Sequence, residues 1–280
     1  MNYKHITAST IGELESIRLN HPKFTAEVCL FGGQLLSFAP KAHGEVLWLS
    51  NTAILDGSKP IRGGVPICWP WFGPALGVNA GKAQHGYARA VDWRVESVIE
   101  SPEKVEVVLA PNFSEQLSKE IGLTLKARFL FSESVEIQLV SENNGSASRP
   151  LSQAIHSYFN VADIDNTQLT GLEGTDYFDQ LTRENKKQQG EISIEQACDR
   201  IYYTKTAEVE LISSLRSLKI EGCGHESIVV WNPWQQGAKN MADFDDTGFK
   251  QMLCVEMANT RDLVIAPGET HLLSQKISIQ

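Results

Sequence analysis

Apolar and polar residues alternate along much of this chain of 280 residues. In the run from Ser134 to Leu139, the side chains of Val135, Ile137 and Leu139 share one face, because successive residues of a strand point to opposite sides. Each such run predicts a β-strand. Comparable runs occur at residues 25–31, 46–49, 91–98, 104–109, 123–131, 155–161, 208–212, 217–221, 228–231, 252–257 and 272–279.

Turn-forming residues separate these runs, as at 142–146, 221–224 and 266–269. Helical patterns are short and predict a turn or two each at 115–119, 191–197 and 240–244. Many strands at a spacing of roughly ten residues, without a βαβ rhythm, indicate an all-β antiparallel sandwich, jelly roll or barrel. Since no linker, repeat or break in composition interrupts the chain, we expect residues 1–280 to form a single domain.

Composition narrows the classes of partner. A net charge of −9 argues against binding nucleic acid through a broad basic face, although a few clustered arginines would still hold a small anion. No apolar run reaches the roughly 18 residues of a bilayer span, and the N-terminus carries no signal-peptide pattern, so we expect no membrane contact. The five cysteines are scattered without metal-ligand spacing, which predicts reduced thiols and a cytoplasmic location.

Residues 61–74 suit neither a strand nor a helix, because three prolines accompany Arg62, Gly63-Gly64, Trp69 and Trp71. Paired glycines allow a tight turn or a close approach of the backbone to a ligand. Aromatic rings beside a guanidinium suit a phosphorylated sugar. The alternative is a buried aromatic loop with surface arginines, and we expect at least one of the two tryptophans to wedge the loop against the core.

A second loop of this kind follows, in which Gln84, His85 and Arg89 occur within residues 84–89. Two neighbouring loops with arginines favour a site for an anionic small molecule over a purely structural role. Because the chain as a whole is negative, these arginines should be close together and partly desolvated to attract an anion.

Two ionisable residues interrupt apolar strand patterns. His156 lies within residues 154–161, and Glu256 lies within residues 252–258. A buried carboxylate costs several kcal/mol unless it is paired or open to a cleft, so one hypothesis makes these residues an acid and a base facing a common substrate. The alternative is that each faces water on a half-exposed strand.

Other kinds of chemistry have little support. The chain has no G-x-S-x-G elbow, no P-loop and no G-x-G-x-x-G fingerprint, and its histidines lack the spacing of a catalytic metal site. We therefore expect no metal and no cofactor. The acidic cluster of Asp243, Asp245 and Asp246 is interpreted as solvated or capping, and the polar stretch 180–191 as a surface excursion.

Several motifs together resemble the aldose 1-epimerase (mutarotase) superfamily, and within it the branch of glucose-6-phosphate 1-epimerases, or hexose-6-phosphate mutarotases. The resemblance covers the chain from about residue 20 onward, in the order of the family. The motifs are Arg62-Gly63-Gly64-Val65-Pro66, Trp69-Pro70-Trp71-Phe72-Gly73, Gln84-His85-Gly86-Tyr87-Ala88-Arg89, Ile155-His156-Ser157-Tyr158-Phe159, Asp199-Arg200-Ile201-Tyr202, Val230-Trp231-Asn232-Pro233, Val255-Glu256 and Ala266-Pro267-Gly268-Glu269.

The resemblance implies a galactose-mutarotase-like β-supersandwich, a single large antiparallel domain. It also implies that His156 is the general acid and Glu256 the general base of a ring opening and closure that interconverts sugar anomers. In the resting complex it assigns Glu256 as ionised and His156 as protonated.

The resemblance further implies which residues hold the substrate. Arg62, Gln84 and Arg89 match substrate-binding positions, with both arginines directed at a phosphate, and Asp199 matches a ligand of a sugar hydroxyl. His85 matches a histidine that lines the pocket. Because plain galactose mutarotases use two histidines, a catalytic role for His85 stays open.

The expected activity is therefore the interconversion of α and β anomers of a hexose 6-phosphate, glucose 6-phosphate first, by a monomer. One alternative is the same chemistry on unphosphorylated aldoses. Another is a non-catalytic carbohydrate-binding protein, which would leave His156 and Glu256 without a role. The sequence does not decide which hexose phosphates are accepted.

Overall fold

The structure is a computed structural model that describes residues 3–75 and 79–280. The inference from the N-terminus rests in part on Met1 and Asn2, which lie outside the described residues. Within the described ranges, the strands form three sheets in which all strand neighbours are antiparallel, and this confirms the all-β antiparallel prediction. Neither α-helix in the described ranges is long and apolar enough to cross a bilayer.

The first sheet has four strands that follow one another in the chain, β1 to β4. Their apolar faces are buried, and Leu19, Phe24 and Val28 are fully enclosed. The strands are β1 (Ile6–Ile11), β2 (Leu14–Asn20), β3 (Phe24–Cys29) and β4 (Gln34–Pro40).

The second sheet has nine strands in the order β15-β12-β17-β18-β21-β9-β8-β7-β6. It contains the clearest period-two runs, and in β9 every second residue is buried, as alternation requires. Its strands are β6 (Trp93–Glu100), β7 (Val105–Pro111), β8 (Thr124–Phe131), β9 (Val135–Glu142), β12 (Gln168–Thr170), β15 (Ile192–Ser193), β17 (Glu208–Ile212), β18 (Ser217–Cys223) and β21 (Thr270–Ile279).

The third sheet has eight strands in the order β14-β13-β16-β19-β20-β10-β5, with β11 also paired to β20. Its central strands are buried on both faces, so their sequences are almost continuously apolar. Its strands are β5 (Ile67–Cys68), β10 (Arg149–Ile155), β11 (Tyr158–Asn160), β13 (Asp176–Asp179), β14 (Glu184–Lys187), β16 (Cys198–Tyr203), β19 (Ser227–Asn232) and β20 (Met252–Ile265).

One hydrophobic cluster joins all three sheets, with Phe24 from the first, Ile137 from the second and Val255 from the third. A continuous core of this size is the usual mark of one folding unit. It favours the single-domain prediction, which stays a prediction.

Most predicted strands are present with shifted ends, but two of the predicted runs do not form a continuous strand. Residues 46–49 make only isolated bridges, from Leu47 to Phe159 and from Leu49 to Gly63. The run 155–161 is not one strand, because the chain leaves β10 at His156, whose amide donates to the carbonyl of Pro66, before β11 begins.

Of the three predicted helices, one is confirmed. Helix α1 (Glu115–Ile121) begins at Ser114, whose hydroxyl accepts from the amide of Leu117. The prediction at 191–197 is wrong: Ile192 and Ile194 are both buried two residues apart, which is strand periodicity, and β15 lies there.

The third helical prediction, at 240–244, is also wrong. The helix is α2 (Trp234–Lys239), and it lies earlier in the chain. The side chain of Asn232 accepts from the amide of Trp234 and so fixes the start of the helix directly after Pro233.

Candidate active site

All seven residues proposed from the sequence line one cavity of about 270 Å³, which lies between the eight-stranded sheet and the loops at 61–74 and 84–89. Two larger cavities, of about 580 and 640 Å³, lie elsewhere and contain none of them. The seven are Arg62, Gln84, His85, Arg89, His156, Asp199 and Glu256.

Strand register explains how one wall of the cavity forms. In the eight-stranded sheet Asp199 of β16 lies opposite Trp231 of β19, and Val229 of β19 lies opposite Glu256 of β20. Because Val229 and Trp231 are two residues apart, all four side chains project from the same face. This wall carries two carboxyl groups beside an indole.

His156 reaches the same wall from the break between β10 and β11. Its Nε2 atom lies 3.4 Å from Oε1 of Glu256. The side chain of His156 is 11% exposed and that of Glu256 is 1% exposed, so neither faces water on a half-exposed strand. The alternative of two solvent-facing residues is wrong.

Burial sets the protonation of this pair. Burial, assisted by the charge of Asp199, raises the pKa of Glu256 well above its usual range. Burial, assisted by the charges of Arg89 and Arg62, lowers the pKa of His156 to about 3. With the charges of the protein alone, both shifts favour the neutral form of the group, which differs from the ion pair that the resemblance implies for the complex.

The neutral pair and the ion pair contain the same number of protons. Transfer of one proton from Oε1 of Glu256 to Nε2 of His156 converts the first into the second, and the 3.4 Å contact is the path. An anion near the arginines would offset the charges that disfavour the imidazolium. The balance between the two forms therefore depends on nearby charge.

The guanidinium of Arg62 is held from two sides. Its Nε and Nη2 atoms donate to the carboxylate of Asp243 at 3.3 and 3.4 Å, and its Nη1 donates to the hydroxyl of Tyr158 at 3.1 Å. Asp243 is therefore an ion-pair partner of the site and not a solvated or capping residue, which corrects the expectation for this member of the acidic cluster.

Arg89 lies on the opposite loop, in the short 3-10 turn Ala88–Ala90. Its Nη2 atom donates to the backbone carbonyl of Gln84 at 2.9 Å, which ties the two residues together. Its Nε atom is buried without a hydrogen-bond partner. Since Arg62 and Arg89 both act on the pKa of His156, the cavity has a positive side next to its acid–base pair.

His85 is neutral with a defined tautomer. Its Nδ1 atom accepts from the amide of Gly73 at 3.1 Å, and burial together with the charge of Arg89 lowers its pKa well below the usual range. Because Nδ1 accepts, the ring proton is on Nε2. His85 can therefore donate a hydrogen bond but is a poor candidate for a cationic acid.

Comparison with known proteins assigns the family. The family model described as aldose 1-epimerase matches residues 15–278. The chain belongs to the aldose 1-epimerase family. A protein of Escherichia coli (strain K12) with the name "putative glucose-6-phosphate 1-epimerase" is 34% identical over 255 residues, which cover 89% of this chain and 84% of that protein.

Solved structures confirm the predicted galactose-mutarotase-like fold. The crystal structure of a "putative mutarotase", YeaD, from Salmonella typhimurium matches with a TM-score of 0.92 at 31% identity, over 100% of this chain and 95% of that chain. A galactose mutarotase-like protein from Clostridium acetobutylicum matches with a TM-score of 0.79 at 15% identity, over 99% of both chains, and this shows the fold alone.

Sequence reasoning missed Gln180, which lines the cavity of this aldose 1-epimerase family member. Its Nε2 donates to Oδ1 of Asp199 at 2.5 Å. Burial raises the pKa of Asp199, and this hydrogen bond acts in the opposite direction. The polar stretch 180–191 is thus not wholly a surface excursion, and no local pattern distinguishes its first residue from the exposed ones that follow.

The two tryptophans of the loop at 61–74 do not form the surface for a sugar ring. Trp69 is fully buried and donates to the hydroxyl of Ser141, while Trp71 donates to the carbonyl of Ala83, and neither lines the cavity. Both wedge the loop, as was predicted for at least one. Phe72 and Trp231 supply the aromatic surface of the cavity instead.

The paired glycines serve backbone packing and not contact with a ligand. A Cβ atom at Gly63 would lie 2.6 Å from the backbone of Trp48 and Leu49, and one at Gly64 would lie 2.4 Å from the carbonyl of Leu35. Both have positive φ, at 114° and 60°. Only glycine allows the loop to press against these neighbours, which places Arg62 at the edge of the cavity.

One group of side chains in the cavity region is a candidate metal site, but its ligand atoms suit a metal poorly. His156, Cys254 and Glu256 each offer one ligand atom within 4.8 Å of the others. Burial raises the pKa of the Cys254 thiol well above its usual range, so the thiol is protonated, whereas a thiolate is the form that binds metal. The residues present do not favour a metal here.

Proposed function

We propose that this protein interconverts the α and β anomers of a hexose 6-phosphate, with glucose 6-phosphate as the first candidate. The observation that carries the proposal is the contact between His156 and Glu256 in a cavity that Arg62 and Arg89 also line. The names of the relatives from Escherichia coli and other organisms support the same substrate.

The spacing of the pair suits the ring opening of a hemiacetal. The hydroxyl oxygen and the ring oxygen that exchange protons are bonded to the same carbon, so the base and the acid must be neighbours. Glu256 takes the proton of the C1 hydroxyl while His156 gives a proton to the ring oxygen. The ring opens, the C1–C2 bond rotates, and closure on the other face of the aldehyde delivers the other anomer.

Closure reverses the proton transfers, so the shared proton is restored and nothing is consumed. The form active in opening has Glu256 ionised and His156 protonated. A phosphate dianion beside Arg62 and Arg89 favours this form, because it offsets the two charges that lower the pKa of His156. Binding the correct substrate therefore also prepares the acid and the base.

The remaining residues orient the sugar. Asp199, fixed by Gln180, accepts from a sugar hydroxyl, and the Nε2 proton of His85 is donated to another oxygen of the substrate. Gln84, whose carbonyl holds Arg89, lines the same side as the arginines. In this proposal His85 binds and does not catalyse.

The first test compares substrates. Exchange between the anomers of glucose 6-phosphate, followed by NMR at equilibrium, should be accelerated strongly by catalytic amounts of the protein, and exchange of glucose should be accelerated far less. Equal acceleration of the two sugars would favour an enzyme for unphosphorylated aldoses. Binding of glucose 6-phosphate without faster exchange would favour a non-catalytic carbohydrate-binding protein.

Removing a guanidinium should weaken selection for the phosphate. Arg89→Ala and Arg62→Ala should each lower kcat/KM for glucose 6-phosphate by about ten- to a hundredfold, because each loses a charge-assisted hydrogen bond to the anion. Activity on free glucose should not fall in Arg89→Ala, because this guanidinium has no carboxylate partner among the described residues to leave unpaired and its charge lowers the pKa of His156. Arg18→Ala, an exposed arginine on β2, is the control. An equal loss on both sugars would show that the arginines are structural.

A further inference from the structure

Tyr158, at the start of β11, contacts both Arg62 and His156. Its hydroxyl oxygen lies 3.1 Å from Nη1 of Arg62. Its ring stacks on the imidazole of His156, with ring centres 4.9 Å apart and planes inclined by 11°. One rigid side chain therefore touches both the proposed anion site and the proposed acid.

The hydroxyl of Tyr158 has a proton to donate. A guanidinium has only donors, so the phenolic oxygen accepts in its contact with Arg62. Among residues 3–75 and 79–280, no group accepts the phenolic proton. Burial raises the pKa of Tyr158, so the proton is retained at neutral pH. Since Tyr158 lines the cavity, a ligand beside Arg62 is the natural acceptor.

The imidazole of His156 is held in an unusual way. In most catalytic histidines a carboxylate or a carbonyl accepts from the second ring nitrogen and fixes the ring plane. Here Nδ1 of His156 is buried without a hydrogen-bond partner within the described residues. The ring is bounded instead by aromatic neighbours, with the face of Tyr158 on one side and the edges of Trp231 and His85 at 6.2 and 5.9 Å.

We propose that Tyr158 is a specificity-determining and positioning residue: its hydroxyl donates to the anionic group of the substrate beside Arg62, and its ring fixes the plane of His156 so that Nε2 faces Glu256. The inference rests on the proposed function and goes beyond it, because it gives the acid a positioning partner that is a ring and not a hydrogen-bond acceptor. Stacking replaces the usual carboxylate behind the histidine.

Two substitutions separate the two roles. Tyr158→Phe keeps the ring and removes the hydroxyl, so KM for glucose 6-phosphate and the inhibition constant of inorganic phosphate should rise by about ten- to a hundredfold while kcat changes little. On free glucose, which has no anion to bind, the change should be smaller than on glucose 6-phosphate. Tyr158→Met fills a similar volume without a flat face, so kcat should fall on both sugars, by about tenfold or more, since a small misplacement of a reacting group is costly.

The control is Tyr203→Phe, because Tyr203 also lies beside an arginine, Arg261, but outside this cavity, and it should leave all constants unchanged. Unchanged KM and phosphate inhibition in Tyr158→Phe would overturn the first role, even if Tyr158→Met fails to fold. A fall of kcat in Tyr158→Phe as large as in Tyr158→Met would overturn the second. A wild-type protein without activity on hexose 6-phosphates would instead refute the proposed function, which the substrate comparison detects separately.

Discussion

Glu256→Gln is expected to slow anomerisation of glucose 6-phosphate by about 10²–10⁴-fold, which is the usual contribution of one positioned proton transfer. Glutamine has the same shape but cannot take the proton of the C1 hydroxyl. Binding should be retained, because in the proposed function the anion is held by Arg62 and Arg89, which this substitution does not change. NMR exchange measures the rate, and calorimetry measures the affinity for the sugar phosphate.

The stability of this variant gives an independent check on the carboxyl group. Because the folded-state pKa of Glu256 is raised, this group lowers the stability of the native state at any pH above the ordinary pKa of a glutamate. The Tm of Glu256→Gln should exceed that of the wild type at pH 7, and the difference should shrink as the pH falls toward the ordinary pKa of a glutamate.

A matched control is Glu208→Gln, which changes an exposed glutamate of β17 that pairs with Lys219. It should leave rate and affinity unchanged. Full turnover in Glu256→Gln would refute the general-base assignment. Loss of both turnover and binding, with a lower Tm, would mean that the substitution disturbs the fold.

Alternation predicted the sheets because it records a physical constraint that is local. In β9 every second residue is buried, so the pattern is visible within a few positions. The short strands β12 and β15 were missed, since two or three residues cannot show a period. The longer strands β1, β2, β4 and β16 also lie outside the predicted runs. Helix α2 was misplaced because its start depends on a hydrogen bond that the side chain of Asn232 accepts from the amide of Trp234, and the periodicity of the sequence does not record such a contact.

The part of the candidate site that was predicted from the residues consists of ionisable side chains within apolar runs. A histidine and a glutamate inside apolar runs carry an energetic cost, and that cost is readable from the sequence. Gln180 and Tyr158 carry no such mark: a glutamine in a polar stretch and a tyrosine in a strand are ordinary. Their importance arises from contacts with Asp199 and Arg62, which only the folded chain brings within reach.

The directions of the pKa shifts of Glu256 and His156 could not be predicted without the folded structure. The sequence and its resemblance suggested an ion pair of Glu256 and His156, but burial, assisted by the charges of Arg89 and Arg62, lowers the pKa of His156 and favours its neutral form. In the proposed function, a bound anion would offset the part of this shift that the two arginines cause. A cavity of this kind gains selectivity for a phosphorylated sugar in the chemical step as well as in binding.

His156→Gln is expected to lower the rate by a factor of about 10²–10⁴ as well, because an amide cannot give a proton to the ring oxygen. The more informative variant is the double substitution with Glu256→Gln. If the two side chains act by exchanging one proton over their 3.4 Å contact, loss of either side chain abolishes the same proton exchange. The double variant should then be about as slow as the slower single variant, since effects of residues that act as a unit do not multiply. A rate reduced by the product of the two factors would show that the acid and the base work independently, and would overturn the shared-proton mechanism while leaving the fold and the anion site intact.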